Sequence, residues 1–203
     1  MKKIRIISVD FQKDFSDKKG KHYKPRKNVD FVKNNLVHYL REHNIKVAEI
    51  ISDYRLPRPA DSDDSCRAGE WGYESEIPED IKLKPVWVKC MNSPVWIRAN
   101  IGNPNKNPGL PYQEPKAFTK WLNKTVGKPD SLDAVVLIGL TSDCCIFCTA
   151  QELNWRGYNV KVLAEGVGTY SGNEKEKEMI LTNPPFTNWA ERISWKNLQK
   201  VLK

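Results

Sequence analysis

Histidine is scarce in this sequence: three among 203 residues, His22, His38 and His43, and none beyond position 43. That leaves little room for a histidine-rich metal centre. Nor does any apolar run approach the roughly 18 residues of a membrane span. The opening MKKIRIISVDFQ places Arg5 and Asp10 where a secretory leader needs an unbroken apolar stretch, so a soluble, cytoplasmic protein with no membrane partner is expected. Cysteine occurs five times, an odd number, and Cys144 and Cys145 are adjacent, a poor plan for a disulfide framework. Reduced thiols follow. Cys66 and Cys90 have no second close ligand, so no metal and no cofactor is expected from the cysteines.

What is present is enough for a core: 39% of residues are hydrophobic, with seven Trp, seven Tyr and six Phe. At this length one domain, 1–203, is the expectation. The formal charge is +8, and residues 13–27 hold seven Lys or Arg. Without interleaved aromatics or a known RNA or DNA motif, that run reads as a solvated loop and not as a nucleic-acid site.

Apolar periodicity alternates between strand and helix. Short β-branched runs at 4–9, 46–51, 86–88, 134–138, 160–163 and 190–193 read as strands. Helical spacing covers 29–42, 118–126, a segment from Cys145 to Gly157, 174–181 and a terminal stretch from Ser194. Six strands separated by helices predict an α/β fold: three layers, α/β/α, around a central, mostly parallel six-stranded sheet. Residues 92–115, rich in Asn, Pro and Gly, exceed an ordinary connection and are read as a lid or binding loop.

Open α/β sheets bind ligands at the carboxyl ends of their strands, which draws attention to Asp10, Asp53, Lys89, residues 141–145 and Glu165. Cys145 follows a strand and a tight turn and opens a helix, where unpaired N–H groups and the positive end of the helix dipole favour a thiolate. Asp10 is placed to take its proton and Lys89 to hold both charges. Spacing alone equally allows a turn-capping Asp10, a surface Lys89 and a small buried Cys145.

Four motifs in order carry a resemblance. Asp10-Phe11-Gln12-Lys13-Asp14-Phe15 resembles the D-x-Q-x-D-F opening of the isochorismatase-like cysteine hydrolases. Gly69-Glu70-Trp71-Gly72-Tyr73-Glu74 resembles that superfamily's G-x-x-G-x-E stretch, Lys89 is followed by Ser93, and Gly139-Leu140-Thr141-Ser142-Asp143-Cys144-Cys145-Ile146 is similar to its G-x-x-T-x-x-C-V. The resemblance implies an Asp10, Lys89, Cys145 triad and makes Cys144 a structural neighbour. It also implies a cis peptide at Leu140-Thr141 and an oxyanion hole of the Thr141 and Cys145 N–H groups. The implied activity is hydrolysis of a C–N bond in a small amide or ureido substrate through a thioester, in a homo-oligomer.

Two departures narrow that expectation. Nicotinamidases of this superfamily carry a metal-binding D-x-H with a later histidine; here Asp53-Tyr54-Arg55 puts arginine in the histidine place, so no metal is expected and nicotinamide is disfavoured. Glu165-Gly166 stands where many members have Asp-Ala. Arg55, Arg58 and Arg67 lie after the second strand, and any of them is suited to a substrate carboxylate or to pairing with Asp61, Asp63 and Asp64. Arg55 is the first choice for substrate binding, with Phe15, Trp71 and Trp96 as aromatic walls.

Rival readings remain from other classes. Cys145-Ile-Phe-Cys148 has the C-x-x-C spacing of a thiol-disulfide oxidoreductase, without the usual flanking Trp, Gly and Pro. A non-catalytic binding protein on the same fold would use the basic loop for an acidic partner. A cysteine–histidine enzyme would have to use His22, the histidine in the loop after the first strand.

Overall fold

A computed structural model describes residues 3–59 and 61–202. Strands β1 (Ile4–Val9), β2 (Val47–Ser52) and β3 (Trp87–Lys89) form one half of the main sheet. A ribbon of β4 (Trp96–Ile97) and β5 (Tyr112–Gln113) lies outside it, and β6 (Ala134–Leu140), β7 (Val160–Gly168) and β8 (Glu191–Ile193) complete it. The order is β3-β2-β1-β6-β7-β8, and every neighbouring pair is parallel. The mostly parallel sheet expected from sequence is thus parallel throughout.

Burial explains the central strands. Every residue of β2 and β6 is buried, and β1 is buried from Ile6 to Val9, as strands covered on both faces require. The helices are α1 (Lys13–Ser16), α2 (Lys27–Phe31), α3 (Val37–Glu42), α4 (Pro115–Trp121), α5 (Cys145–Trp155), α6 (Glu174–Thr182) and α7 (Trp195–Leu202). α2 and α3 are one continuous helix joined through wider π-type turns at Val32–Leu36. Phe31 and Tyr39 of that helix meet Trp195 of α7 edge-on, at ring separations of 5.7 and 5.0 Å. Arg156, just past α5, lies over Phe118 of α4 at 5.2 Å. Right-handed crossovers put α2 and α3, between β1 and β2, on the face opposite α5, between β6 and β7, which completes the three layers.

Element boundaries differ from the sequence expectation for local reasons. The expected helix at 118–126 begins at Pro115, since proline's missing N–H has no intrahelical partner to lose in a first turn, and ends before Gly127, whose φ is +121°. β7 continues past Leu163 to Gly168 because a register shift opposite Leu137 and Gly139 lets Val167 pair with Gly139.

Chain order reverses between β1 and β6. From there β1, β2 and β3 run one way across the sheet while β6, β7 and β8 run the other, which opens a crevice at the carboxyl ends of β1 and β6. Gly139 makes that junction possible. Its φ is +111°, and a Cβ there would stand 2.1 Å from the Val9 carbonyl oxygen.

Candidate active site

The crevice holds a cavity of about 270 Å³, and its lining includes Asp10, Phe15, Tyr54, Thr141 and Cys145. Asp10 follows β1 directly. Its φ of +49° is uncommon for a residue with a Cβ, and its N–H is fixed by the Ile50 carbonyl at 2.9 Å. The side chain is fully buried: Oδ1 accepts from Ser52 Oγ at 2.8 Å and Oδ2 from Lys89 Nζ at 2.8 Å.

Lys89, the last residue of the edge strand β3, has no exposed surface. Its ammonium lies 2.8 Å from Ser52 Oγ, 2.5 Å from Tyr54 Oη, 3.0 Å from the Met91 carbonyl and 3.4 Å from Cys145 Sγ. Burial disfavours its charge, but Asp10 and Cys145 outweigh that and leave its pKa above the ordinary value. Cys145 opens α5, so its own N–H is among the unpaired amides of the first turn. The Leu140-Thr141 peptide preceding that turn is cis. Cys145 Sγ also lies 3.2 Å from Tyr54 Oη and 3.6 Å from Asn92 Oδ1.

The structure therefore brings Asp10, Lys89 and Cys145 together from the ends of β1, β3 and β6. The thiol differs from the expectation drawn from its place at a helix start. Burial, and then the nearby Asp10 carboxylate, push its pKa up, against the smaller downward pull of Lys89. Cys145 is therefore a neutral thiol at neutral pH. Tyr54 is likewise pushed well above its ordinary value by burial and by Asp10. Its hydroxyl therefore stays protonated.

The motif residues around this group brace it. Gln12 donates to the carbonyls of Ser52 (3.0 Å) and Tyr73 (2.9 Å) and accepts from the Ser52 N–H at 2.7 Å, which ties β1, β2 and the segment holding Gly72. Asp14 accepts from the Cys66 N–H at 2.6 Å, and a Cβ at Gly72 would fall 2.2 Å from the Asp14 carboxylate.

Phe15 lines the cavity, with His22 stacked on it at 5.6 Å. Burial lowers the pKa of His22, which keeps the imidazole neutral. Three other residues proposed from sequence for substrate binding do not reach the cavity. Arg55 is buried, forked onto Asp53 at 2.8 and 2.7 Å, and donates to the carbonyls of Asn100, Asn103 and Lys106. It fastens the 100–107 segment instead of presenting a free guanidinium. Trp71 lies on the single turn Trp71–Tyr73, 39% exposed, with the Lys13 ammonium 5.4 Å from its ring. Trp96 belongs to the ribbon, where its carbonyl accepts from the Cys90 N–H at 3.0 Å. Within the 92–115 segment, Asn92 is the residue that lines the cavity.

Sequence reasoning passed over Tyr54, Ser52 and Asn92. Tyr54 and Ser52 flank Asp53, the residue singled out after β2; Asp53 itself turns away into its ion pair with Arg55. Arg55 pulls the Asp53 pKa down despite burial, and the Gly102 N–H also donates to Asp53, at 2.8 Å. A metal ion held by Asp53 would meet that guanidinium, so this residue set does not fit one. Among the described residues no group of three or more His, Cys, Asp or Glu is arranged to hold a metal.

Comparison with solved structures places the architecture. An isochorismatase-like hydrolase from Alkaliphilus metalliredigens superposes with a TM-score of 0.66 at 16% identity, covering 100% of this chain and 97% of that one. This chain has the isochorismatase-like hydrolase fold. N-carbamoylsarcosine amidase from Thermoplasma acidophilum matches at TM-score 0.58 and 18% identity, over 95% of this chain and 96% of that one. The zinc complex of pyrazinamidase from Pyrococcus horikoshii gives 0.64 and 15%, over 95% and 99%. No protein-family model and no curated protein sequence matches the chain.

Proposed function

We propose that this protein is a cysteine hydrolase that cleaves the C–N bond of a small amide or ureido substrate. The observation that carries the reading is the buried contact of the Lys89 ammonium with both the Asp10 carboxylate, at 2.8 Å, and the Cys145 sulfur, at 3.4 Å, on the wall of a small cavity. A nucleophile, a proton acceptor and a fixed cation in one place are the parts that acyl transfer needs. The shared fold with N-carbamoylsarcosine amidase and pyrazinamidase supports the substrate class.

In this mechanism Asp10 takes the Cys145 proton as the sulfur attacks the carbonyl carbon. The Thr141 and Cys145 N–H groups stabilise the developing oxyanion. Asp10 returns the proton to the departing nitrogen, which leaves as ammonia or an amine, and a thioester remains. Asp10 then deprotonates water, which attacks the thioester; the acid departs and the thiol regains its proton. Lys89 holds the Asp10 carboxylate in place through their 2.8 Å contact and offsets negative charge as it builds on sulfur.

The reading is tested by acid-quenching the protein during incubation with small amides and mapping adducts by peptide mass. The expected result is an acyl group on Cys145 and none on Cys144 or Cys148. Turnover with the acyl group on another residue overturns it. A disulfide between Cys145 and Cys148 formed in step with product would favour redox chemistry instead; all five cysteines are free thiols here, and Cys148 does not line the cavity.

A further inference from the structure

Three arginines follow β2, and the structure separates them. Arg55 is committed to Asp53 and to backbone carbonyls, whereas Arg67 is half-exposed and paired with Asp64 and Glu70 at 2.6 and 3.1 Å. Arg58 is different. It lines the cavity that holds Cys145, and among the described residues it is the one Lys or Arg in that lining. Its side chain is only 9% exposed, yet Nε is buried with no hydrogen-bond partner among the described residues. A buried guanidinium whose Nε has lost water without replacement is under-satisfied, and an anion bound in the cavity that Arg58 lines would offset its charge.

The setting fixes where that ligand would lie. The guanidinium stacks 4.0 Å from the centre of the Tyr54 ring, and the hydroxyl on the same ring is 3.2 Å from Cys145 Sγ. Arg58 thus stands one tyrosine ring away from the reacting sulfur. Asp61 meets Nη2 at 2.9 Å, but it is 39% exposed, so solvent screens that pair and the carboxylate can be joined or displaced by another. Neutral His22 adds no second cation, and Lys89 is engaged by Asp10.

We infer that Arg58 selects substrates carrying a carboxylate, held at the guanidinium while the amide carbonyl lies at Cys145. This rests on the cysteine-hydrolase reading and adds to it a substrate class: a small amide or ureido acid, sized to about 270 Å³.

The test needs no guessed substrate. Iodoacetate and iodoacetamide alkylate the same thiol and differ in one carboxylate, so the ratio of their rates at Cys145, read by peptide mass after long incubation at one alkaline pH, reports anion preference inside the cavity, since both reagents meet the same small thiolate fraction. In the wild type the ratio at Cys145 should exceed that at a free cysteine in solution. Arg58→Gln should lower it about tenfold, the size of one charge-assisted contact, and Arg58→Lys should lower it less. An unchanged ratio in Arg58→Gln overturns the inference even if both rates shift together, since a disturbed Tyr54 or fold would move both reagents alike. If neither reagent alkylates Cys145 in the wild type, the hydrolase reading falls and takes this inference with it. A changed ratio with no acyl adduct from any amide would instead leave an anion site and remove the hydrolase.

Discussion

The hydroxyl oxygen of Tyr54 lies 3.2 Å from the sulfur of Cys145. The same oxygen is 2.5 Å from Lys89 Nζ, so the tyrosine touches both the thiol and the cation beside it. Its hydrogen bond lowers the Cys145 pKa, opposing the larger upward push of burial and Asp10. Tyr54→Phe removes that bond while keeping the ring beneath Arg58. Alkylation of Cys145 should slow, and turnover should fall about 10- to 100-fold, the order expected for losing one positioned hydrogen bond in a reaction site. Unchanged rates of both would show that the hydroxyl does no more than pack.

Asp10→Asn separates thiol acidity from catalysis. The Asp10 carboxylate raises the Cys145 pKa, so the neutral amide should let the thiol ionise at lower pH and alkylate faster near neutrality. Turnover should nevertheless be lost, by at least about 10²-fold, because nothing remains to receive the proton and return it to the leaving nitrogen. Slower alkylation together with retained turnover would contradict both halves of the account.

Much of this site was legible in the sequence because its three charged or nucleophilic residues end apolar runs. Asp10 and Cys145 each follow a stretch that reads as a buried strand, and the parallel topology alone brings such ends to one rim. Tyr54 was illegible because a tyrosine two residues past β2 has no periodic signature that separates wall from core. Arg55 misled for a related reason: sequence shows an arginine near the rim, but only the fold shows Asp53 and three carbonyls already bound to it. The thiol's elevated pKa also depends on burial depth, which a helix-start position does not reveal.

Arg55→Ala should act on stability and not on substrate preference. The side chains of Arg55 and Asp53 are 3% and 0% exposed, and removing the cation leaves a buried carboxylate unpaired, a change that costs about 3–5 kcal/mol in comparable cases. The pH dependence has a definite sign. Asp53 has a folded pKa below its ordinary 3.8, so its contribution is full above that value and is lost as pH falls through the folded value. Denaturant unfolding of wild type and variant across acidic pH should show the gap between them closing as pH drops. A constant gap, or no gap, would return Arg55 to the list of substrate contacts.

Gly139→Ala tests the junction behind the site. With φ at +111° and the Val9 carbonyl 2.1 Å from the new Cβ, β1 and β6 must separate just where they present Asp10 and the Cys145 turn. The variant should be destabilised by at least about 2 kcal/mol and lose most turnover even where it remains folded. A variant as stable and active as the wild type would show that the strand ends tolerate that shift.

The most direct test of the central claim is ammonia release from a panel of small carboxamides and ureas, acidic and neutral, by wild type, Asp10→Asn and Cys145→Ala side by side. The account predicts release from at least one member by the wild type and none above background by Cys145→Ala, with the folded state of each variant confirmed by its unfolding transition. Release by Cys145→Ala at the wild-type rate, or by the wild type from no member of the panel, would contradict it.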